Sequence, residues 1–253
     1  MGGLTPLLSP LVRGEVFSPQ DLMKFALAQK LILKTREYYE KHGENFAISR
    51  SRDWPLFLAL LQYIKKGDKV LDLGCGSGRF YAPVMQKGAN YLGVDRSKKL
   101  LHQARAIYPD AKFRHGDILD LKLLPASFDV IALIAVLHHL PSRVMRDQAL
   151  QNVKRVLKPG GLILLTNWNL CQKNFLGLRL RYLWLKILGE NKMDWNDILW
   201  KGKRYYHGFR KREIAKLLAA LGFQVLENYY EKGGKRTARW KGENLVTIGK
   251  KIS

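Results

Sequence analysis

The sequence predicts an α/β fold, a mostly parallel seven-stranded sheet with helices on both faces, and three observations predict it. Apolar runs bounded by turn residues alternate with helix-patterned stretches from Lys69 to Leu165, the order that builds parallel strands joined by helical crossovers. Val130-Ile131-Ala132-Leu133-Ile134 is apolar throughout, as a strand covered on both faces is. The stretch Val70 to Phe80, VLDLGCGSGRF, ends an apolar run in a glycine-rich turn, and a second apolar run, Leu92-Gly93-Val94, closes on Asp95. That is the grammar of a nucleotide-binding β-α-β unit.

The elements follow in order. Ser18-Pro19 starts a helix, with Ser18 as cap and Pro19 in the first turn; it runs through Tyr39 and ends at Lys41-His42-Gly43. Trp54 to Ile64 forms a second helix, and Lys66-Gly67-Asp68 turns into the first strand. Strands are expected near 69–74, 90–95, 112–115, 128–134 and 160–167, with helices near 78–87, 97–107 and 142–157. Lys158-Pro159-Gly160-Gly161 reads as the turn before the fifth strand. Lys211 to Leu221 is a helix closed by Gly222, and Phe223–Tyr230 and Asn244–Lys250 form an antiparallel closing pair around a basic loop, Lys232–Lys241, expected to be disordered without a ligand. Residues 1–66 are therefore a helical extension, and 67–253 the α/β domain. About 168–208 interrupts it ahead of the last helix. The leucine-rich Phe175–Leu188 inside that insertion has a narrow polar side and is expected to pack against protein rather than rest on a membrane.

Composition bounds the partners. Lys and Arg number 44 against 21 Asp and Glu, a formal charge of +23, which draws polyanions through counterion release. No apolar run reaches the roughly 20 residues that span a bilayer, so stable membrane insertion is not expected, and the proline-bearing start does not read as a signal peptide. Two cysteines, Cys75 and Cys171, make neither a disulfide framework nor a zinc site, pointing to a reduced, cytoplasmic protein. The pair His138-His139 lacks further ligands, and no metal site is expected.

Ligands of open α/β sheets lie beyond the carboxyl ends of the strands. This gathers Gly74, Cys75, Gly76, Gly78, Asp95, Arg96, Asp117, Ile118, Ala135 and His138 around one crevice. Asp95 can accept hydrogen bonds from both ribose hydroxyls, Asp117 from an adenine amino group, and Ile118 can cover the ring. The spacing G-x-G-x-G without a following Lys-Ser or Lys-Thr does not suggest ATP hydrolysis.

With Asp72 leading it, the phrase D-L-G-C-G-S-G resembles the first motif of the class I S-adenosylmethionine-dependent methyltransferases. The resemblance implies a Rossmann-like domain over 67–253, S-adenosylmethionine as cofactor and S-adenosylhomocysteine as product. It also implies that Asp72 helps hold the methionine end and that His138, in the phrase Ala135–Pro141, helps close the site. Arg204-Tyr205-Tyr206-His207-Gly208-Phe209, with Ser49-Arg50 and Trp54-Pro55 upstream, is similar to the tRNA wobble-uridine carboxymethyl methyltransferases, over roughly 38–167 and 198–250. It implies tRNA as partner, esterification of a 5-carboxymethyluridine, and a small activator subunit such as the eukaryotic members use; the long leader and residues 168–197 depart from the pattern and put that subunit in doubt. On this reading Arg204 or Arg50 clamps one carboxylate oxygen, and Tyr206 and His207 hydrogen-bond the uracil or the carboxylate. Two other readings stand beside it. One is a small-molecule or lipid (quinone-type) methyltransferase, whose His-His-Leu phrase is shared. The other is a non-catalytic RNA-binding module that kept the fold.

Overall fold

Residues 19–48 and 54–252 are described by the structure, a computed structural model. In chain order the helices are α1 (Pro19–Ile48), α2 (Pro55–Leu61), α3 (Tyr81–Gln86), α4 (Lys98–Ile107), α5 (Arg143–Val156), α6 (Lys173–Ile187) and α7 (Lys211–Ala220). The strands are β1 (Lys69–Leu73), β2 (Asn90–Asp95), β3 (Phe113–His115), β4 (Phe128–Ile134), β5 (Leu157–Trp168), β6 (Asp197–Trp200), β7 (Arg204–His207), β8 (Phe223–Lys232), β9 (Lys235–Thr237) and β10 (Asn244–Lys251). The main sheet is ordered β3-β2-β1-β4-β5-β10-β8-β9. β1, β2, β3, β4 and β5 pair in parallel, and β10, β8 and β9 add antiparallel. The class is as the sequence reads, with eight strands in the sheet instead of seven.

Alternation along each strand explains why both faces are covered. Leu71, Leu73, Ile131, Leu133, Ile163 and Leu165 meet Met145, Ala149, Leu150 and Val153 of α5 and Ile214 and Leu218 of α7. Their neighbours Val70, Val130, Ala132 and Leu164 meet Leu56 and Leu60 of α2 and Val84 of α3 on the other face. Switching strand order between β1 and β4 leaves a crevice at the carboxyl ends of β1, β2 and β4, where the candidate residues collect.

Several boundaries differ from the sequence expectation. The first helix passes Gly43 and ends at Ile48. Gly43 is buried against α4, where a Cβ would lie 3.3 Å from Leu100, so this glycine serves close helix packing rather than a stop; Ser18 lies outside the described residues. The Pro159-Gly160-Gly161 turn belongs to a longer β5 that reaches back to Leu157, with the irregularity taken up opposite Phe128 and Val130. The basic Lys232–Lys241 stretch is not a loop throughout: β9 folds back on β8 across Gly233-Gly234 and supplies the eighth strand. Inside the insertion, α6 buries Phe175, while Leu176, Leu180, Leu183, Trp184 and Ile187 are exposed, against the expectation that its apolar side packs on protein. The hairpin β6–β7 stands apart from the main sheet, and α1 packs along it.

Candidate active site

The turn after β1 shapes the site. Gly74 adopts a φ of +82°, and a Cβ there would come within 2.4 Å of Val136 Cγ2 in the loop after β4. Gly76 has a φ of +55° and nothing within 4 Å of its Cβ position, so its backbone faces open space. Both conformations cost a residue with a side chain. The space is a cavity of about 310 Å³, bounded by Gly74–Ser77, Asp95–Ser97, Gly116–Ile118 and Ala135–Val136 of the sheet end and by Ile32, Thr35, Arg36, Tyr39 and Glu40 of α1.

Two acids sit beneath it. Asp95 Oδ2 accepts a hydrogen bond from Gly76 N (2.8 Å) and Oδ1 from Ser97 N (2.8 Å). Burial raises its pKa, and those backbone N–H groups oppose the rise. Asp72 is buried and accepts from the Tyr91 hydroxyl at 2.8 Å. Burial is the main cause that lifts its pKa to about 7, with the Tyr91 bond working against it. Cys75 is buried beside both, and burial, followed by the two carboxylates, pushes its thiol well above the usual range, which makes it packing rather than a nucleophile.

At the opposite end, Arg36 and Arg96 both reach Asp117 Oδ2, at 3.0 and 3.3 Å, and Leu119 N donates to Oδ1 at 3.1 Å. Arg36 and Leu119 N donate hydrogen bonds while Arg96 contributes an ion pair, which leaves this carboxylate room for a further donor such as an exocyclic amine. Ile118 lines the wall, and Ala135 turns it with a φ of +59°.

Of the paired histidines, His139 lies on the cavity wall. Its Nε2 meets the Tyr39 hydroxyl at 2.9 Å and its Nδ1 the Tyr205 carbonyl at 3.1 Å. His138, the one singled out from sequence, is fully buried behind it, accepting from Trp168 N at 3.3 Å and stacked on Tyr206. The two rings lie only 4.4 Å apart, yet His139 alone of the pair reaches the cavity wall, and the sequence carries no sign of which one does.

The Arg204–His207 phrase is β7, buried along its whole length, and none of Arg204, Tyr206 and His207 borders the cavity. Arg204 lies over the Tyr38 ring at 4.7 Å. Tyr206 is stacked on Trp168 at 5.1 Å and stands beside His139 at 4.8 Å. His207 donates from Nδ1 to Asp197 and from Nε2 to Glu213, both at 2.6 Å. Burial alone would lower its pKa, but the two carboxylates carry it up, so it is held as an imidazolium within the fold. The expected direct contact with substrate is thus corrected. Covered by α1, β7 forms the layer that supports His139. Arg50 lies outside the described residues.

Cavity residues that the sequence reading missed are Arg36, Tyr39, Glu40 and Arg79. The first three share a helical face with Ile32 and Thr35, a spacing of three and four that marks one side of a helix. Arg79 directly follows the glycines, and its guanidinium lies 5.4 Å from the Trp54 ring and 5.6 Å from Phe57.

The residues fit an adenosyl-sulfonium ligand. Open space lies over Gly76, acids flank it, and the buried Arg36 Nε on its wall has no hydrogen-bond partner among the described residues. A glycine turn and a following acid that frame a nucleoside-sized cavity at the tips of parallel strands define an α/β protein that binds a nucleoside cofactor. Residues 71–165 match the family model described as a methyltransferase domain. A protein named as a methyltransferase in Encephalitozoon cuniculi is 33% identical over 201 residues, 77% of this chain and 89% of that protein. The tRNA (carboxymethyluridine(34)-5-O)-methyltransferase of Schizosaccharomyces pombe is 29% identical over 216 residues, 78% and 91% of the two chains. In structure, an S-adenosylmethionine-dependent methyltransferase of Methanosarcina mazei shares the fold with a TM-score of 0.65 at 22% identity, covering 76% of this chain and 96% of that one. The chain belongs to the class I S-adenosylmethionine-dependent methyltransferases.

Proposed function

We propose that this methyltransferase acts on RNA and esterifies the carboxymethyl group of a modified uridine at the wobble position of tRNA. The observation that carries the proposal is its similarity, along most of both chains, to the fission-yeast enzyme named for that reaction. The +23 charge supports a polyanionic partner.

S-adenosylmethionine, when bound, supplies an electrophilic methyl group that an ionised carboxylate oxygen takes as the carbon–sulfur bond breaks. A carboxylate is ionised at neutral pH, so the chain needs no general base. Its tasks are binding, alignment and exclusion of water. Asp95 would hold the ribose hydroxyls, and Asp72, when ionised, would attract the ammonium of the methionine end. Arg79, over Trp54 and Phe57, would present its guanidinium at the cavity to an anionic acceptor. It takes the clamping role expected of Arg204, which supports the wall from behind. Trp54, half-buried at the cavity edge, offers a ring for a base splayed out of a single-stranded loop. The small activator subunit implied by the resemblance remains part of the proposal.

The deciding experiment supplies the purified chain with S-adenosylmethionine and tRNA bearing 5-carboxymethyluridine, then reads the nucleosides by mass spectrometry. One added methyl group on that nucleoside is expected. Cofactor turnover with a quinone or other small acceptor, and none with the tRNA, overturns the reading.

Asp72 makes binding pH-dependent. Its pKa of about 7 means that the carboxylate forms only as pH rises through neutrality, and the ligand's ammonium favours the ionised state. Calorimetric affinity for S-adenosylhomocysteine is expected to increase from about pH 6 to about pH 8. Tyr91→Phe removes the hydrogen bond that lowers this pKa and should move the midpoint upward. A profile that is flat in both proteins would take Asp72 out of the binding site.

A further inference from the structure

Helix α6 carries a feature that methyl transfer does not use. Leu176, Leu180, Leu183, Trp184, Ile187 and Leu188 recur at intervals of three and four and are exposed, Trp184 to 63% and Leu188 to 66%. At 100° per residue the first five fall within one sector of about 100°, and Leu188, the residue that caps the helix, extends it to about 140°. The opposite sector, Phe175, Leu178 and Tyr182, packs on the β6–β7 hairpin. Exposed Trp195 lies just beyond the helix. Lys173 and Arg181 are exposed on α6, Arg179 and Lys186 are half-buried on its other flank, and the helix contains no acid. Lys186 is tied to the Met193 carbonyl and Arg179 to Cys171 Sγ, which fixes their stems beside the apolar sector.

We propose that α6 adsorbs the protein to an anionic phospholipid surface, lying in the plane of the interface. An apolar sector bordered by lysine and arginine, with tryptophan in it, matches the boundary between acyl chains and phosphate headgroups. Anionic lipid also complements a chain of +23. A second copy of the chain would set two basic flanks and two strongly positive bodies against each other. RNA offers phosphates but no apolar ribbon at helical spacing. The helix is about 22 Å long, and no described helix is long and apolar enough to cross a membrane, so the contact is peripheral. It goes beyond the proposed reaction and stands if that reaction is disproved.

The test uses the full chain with vesicles of phosphatidylcholine alone or with about 30% phosphatidylserine. Binding to the second and not the first is expected, with tryptophan fluorescence quenched by lipids brominated near the headgroup. Because net charge alone draws a basic protein to such vesicles, the deciding variant keeps the charge. Leu180→Ser with Trp184→Ser should weaken binding about tenfold or more, the loss of at least one large apolar side chain from the interface, while melting temperature, cofactor affinity and tRNA binding stay unchanged. Trp184→Phe, which keeps the apolar face, should retain binding and lose much of the quenching. Unquenched wild-type protein, or a double variant that binds vesicles as tightly as wild type, overturns the proposal. So does a double variant that loses tRNA binding but not vesicles, a wild-type dimer that the variant dissociates, or vesicle binding that appears only after residues 1–18 are removed.

Discussion

Asp95→Ala is expected to weaken binding of S-adenosylmethionine about a hundredfold or more. A carboxylate that receives two ribose hydroxyls makes two charge-assisted hydrogen bonds, each contributing about 1.5–3 kcal/mol, and every 1.4 kcal/mol is a factor of about ten. The same side chain also orders its own surroundings. One oxygen receives Gly76 N and the other Ser97 N, so it ties the glycine turn to the start of α4. Alanine leaves both N–H groups to water and frees the turn. Asp95→Asn keeps one acceptor and should fall between the two. Titration calorimetry with S-adenosylhomocysteine measures the effect, and an affinity equal to wild type would remove Asp95 from the site.

Gly74→Ala is expected to be the most destructive single methyl addition at the site. The residue combines a left-handed φ of +82° with a Cβ position 2.4 Å from a Val136 methyl. Conformation and collision add, and neither relaxes easily, because Gly74 N donates to Val94 O at 2.7 Å and Val136 packs against the buried core. A loss of about 3 kcal/mol or more is expected in urea unfolding, with cofactor affinity falling alongside. The paired change Gly74→Ala with Val136→Ala removes the collision and leaves the conformational strain, so it should recover part of the stability. No recovery would mean that the backbone conformation alone sets the cost.

The sheet was readable because its signals are local. Glycines, an acid at a strand end and runs of β-branched and aliphatic residues declare β1, β2 and β4 without reference to anything distant. What escaped was set by contacts between remote segments. The glycine at position 43 looks like a helix stop and is a packing point against Leu100. Tyr206 looks like a ligand-facing aromatic and is fully buried, because a helix about 170 positions earlier covers its strand. The cofactor half of the site was largely legible: of the residues marked from sequence, Asp72, Gly74, Gly76, Asp95, Asp117 and Ile118 line the cavity, while Gly78 does not, its open side being taken up by Phe113 and Tyr108. The acceptor half was not. The cation proposed for it, Arg79, stands in a turn whose sequence gives no sign that it meets Trp54 and Phe57. For the β7 residues, chemical type suggested contact with substrate, while the neighbours that bury them could be known only from tertiary structure.

One tie has a consequence for synthesis of the chain. Thr35 Oγ1 accepts from Tyr205 N at 3.1 Å across 170 positions of sequence, and Tyr39 reaches His139 from the same helix. The strand tips and the glycine turn are made early, but the hairpin that fastens the roof over them follows the first helix by about 170 residues. Contacts so far apart form late in folding. A nascent chain therefore holds the nucleoside groove open-sided until the β6–β7 hairpin has emerged, and only then does α1 meet the strand that closes it.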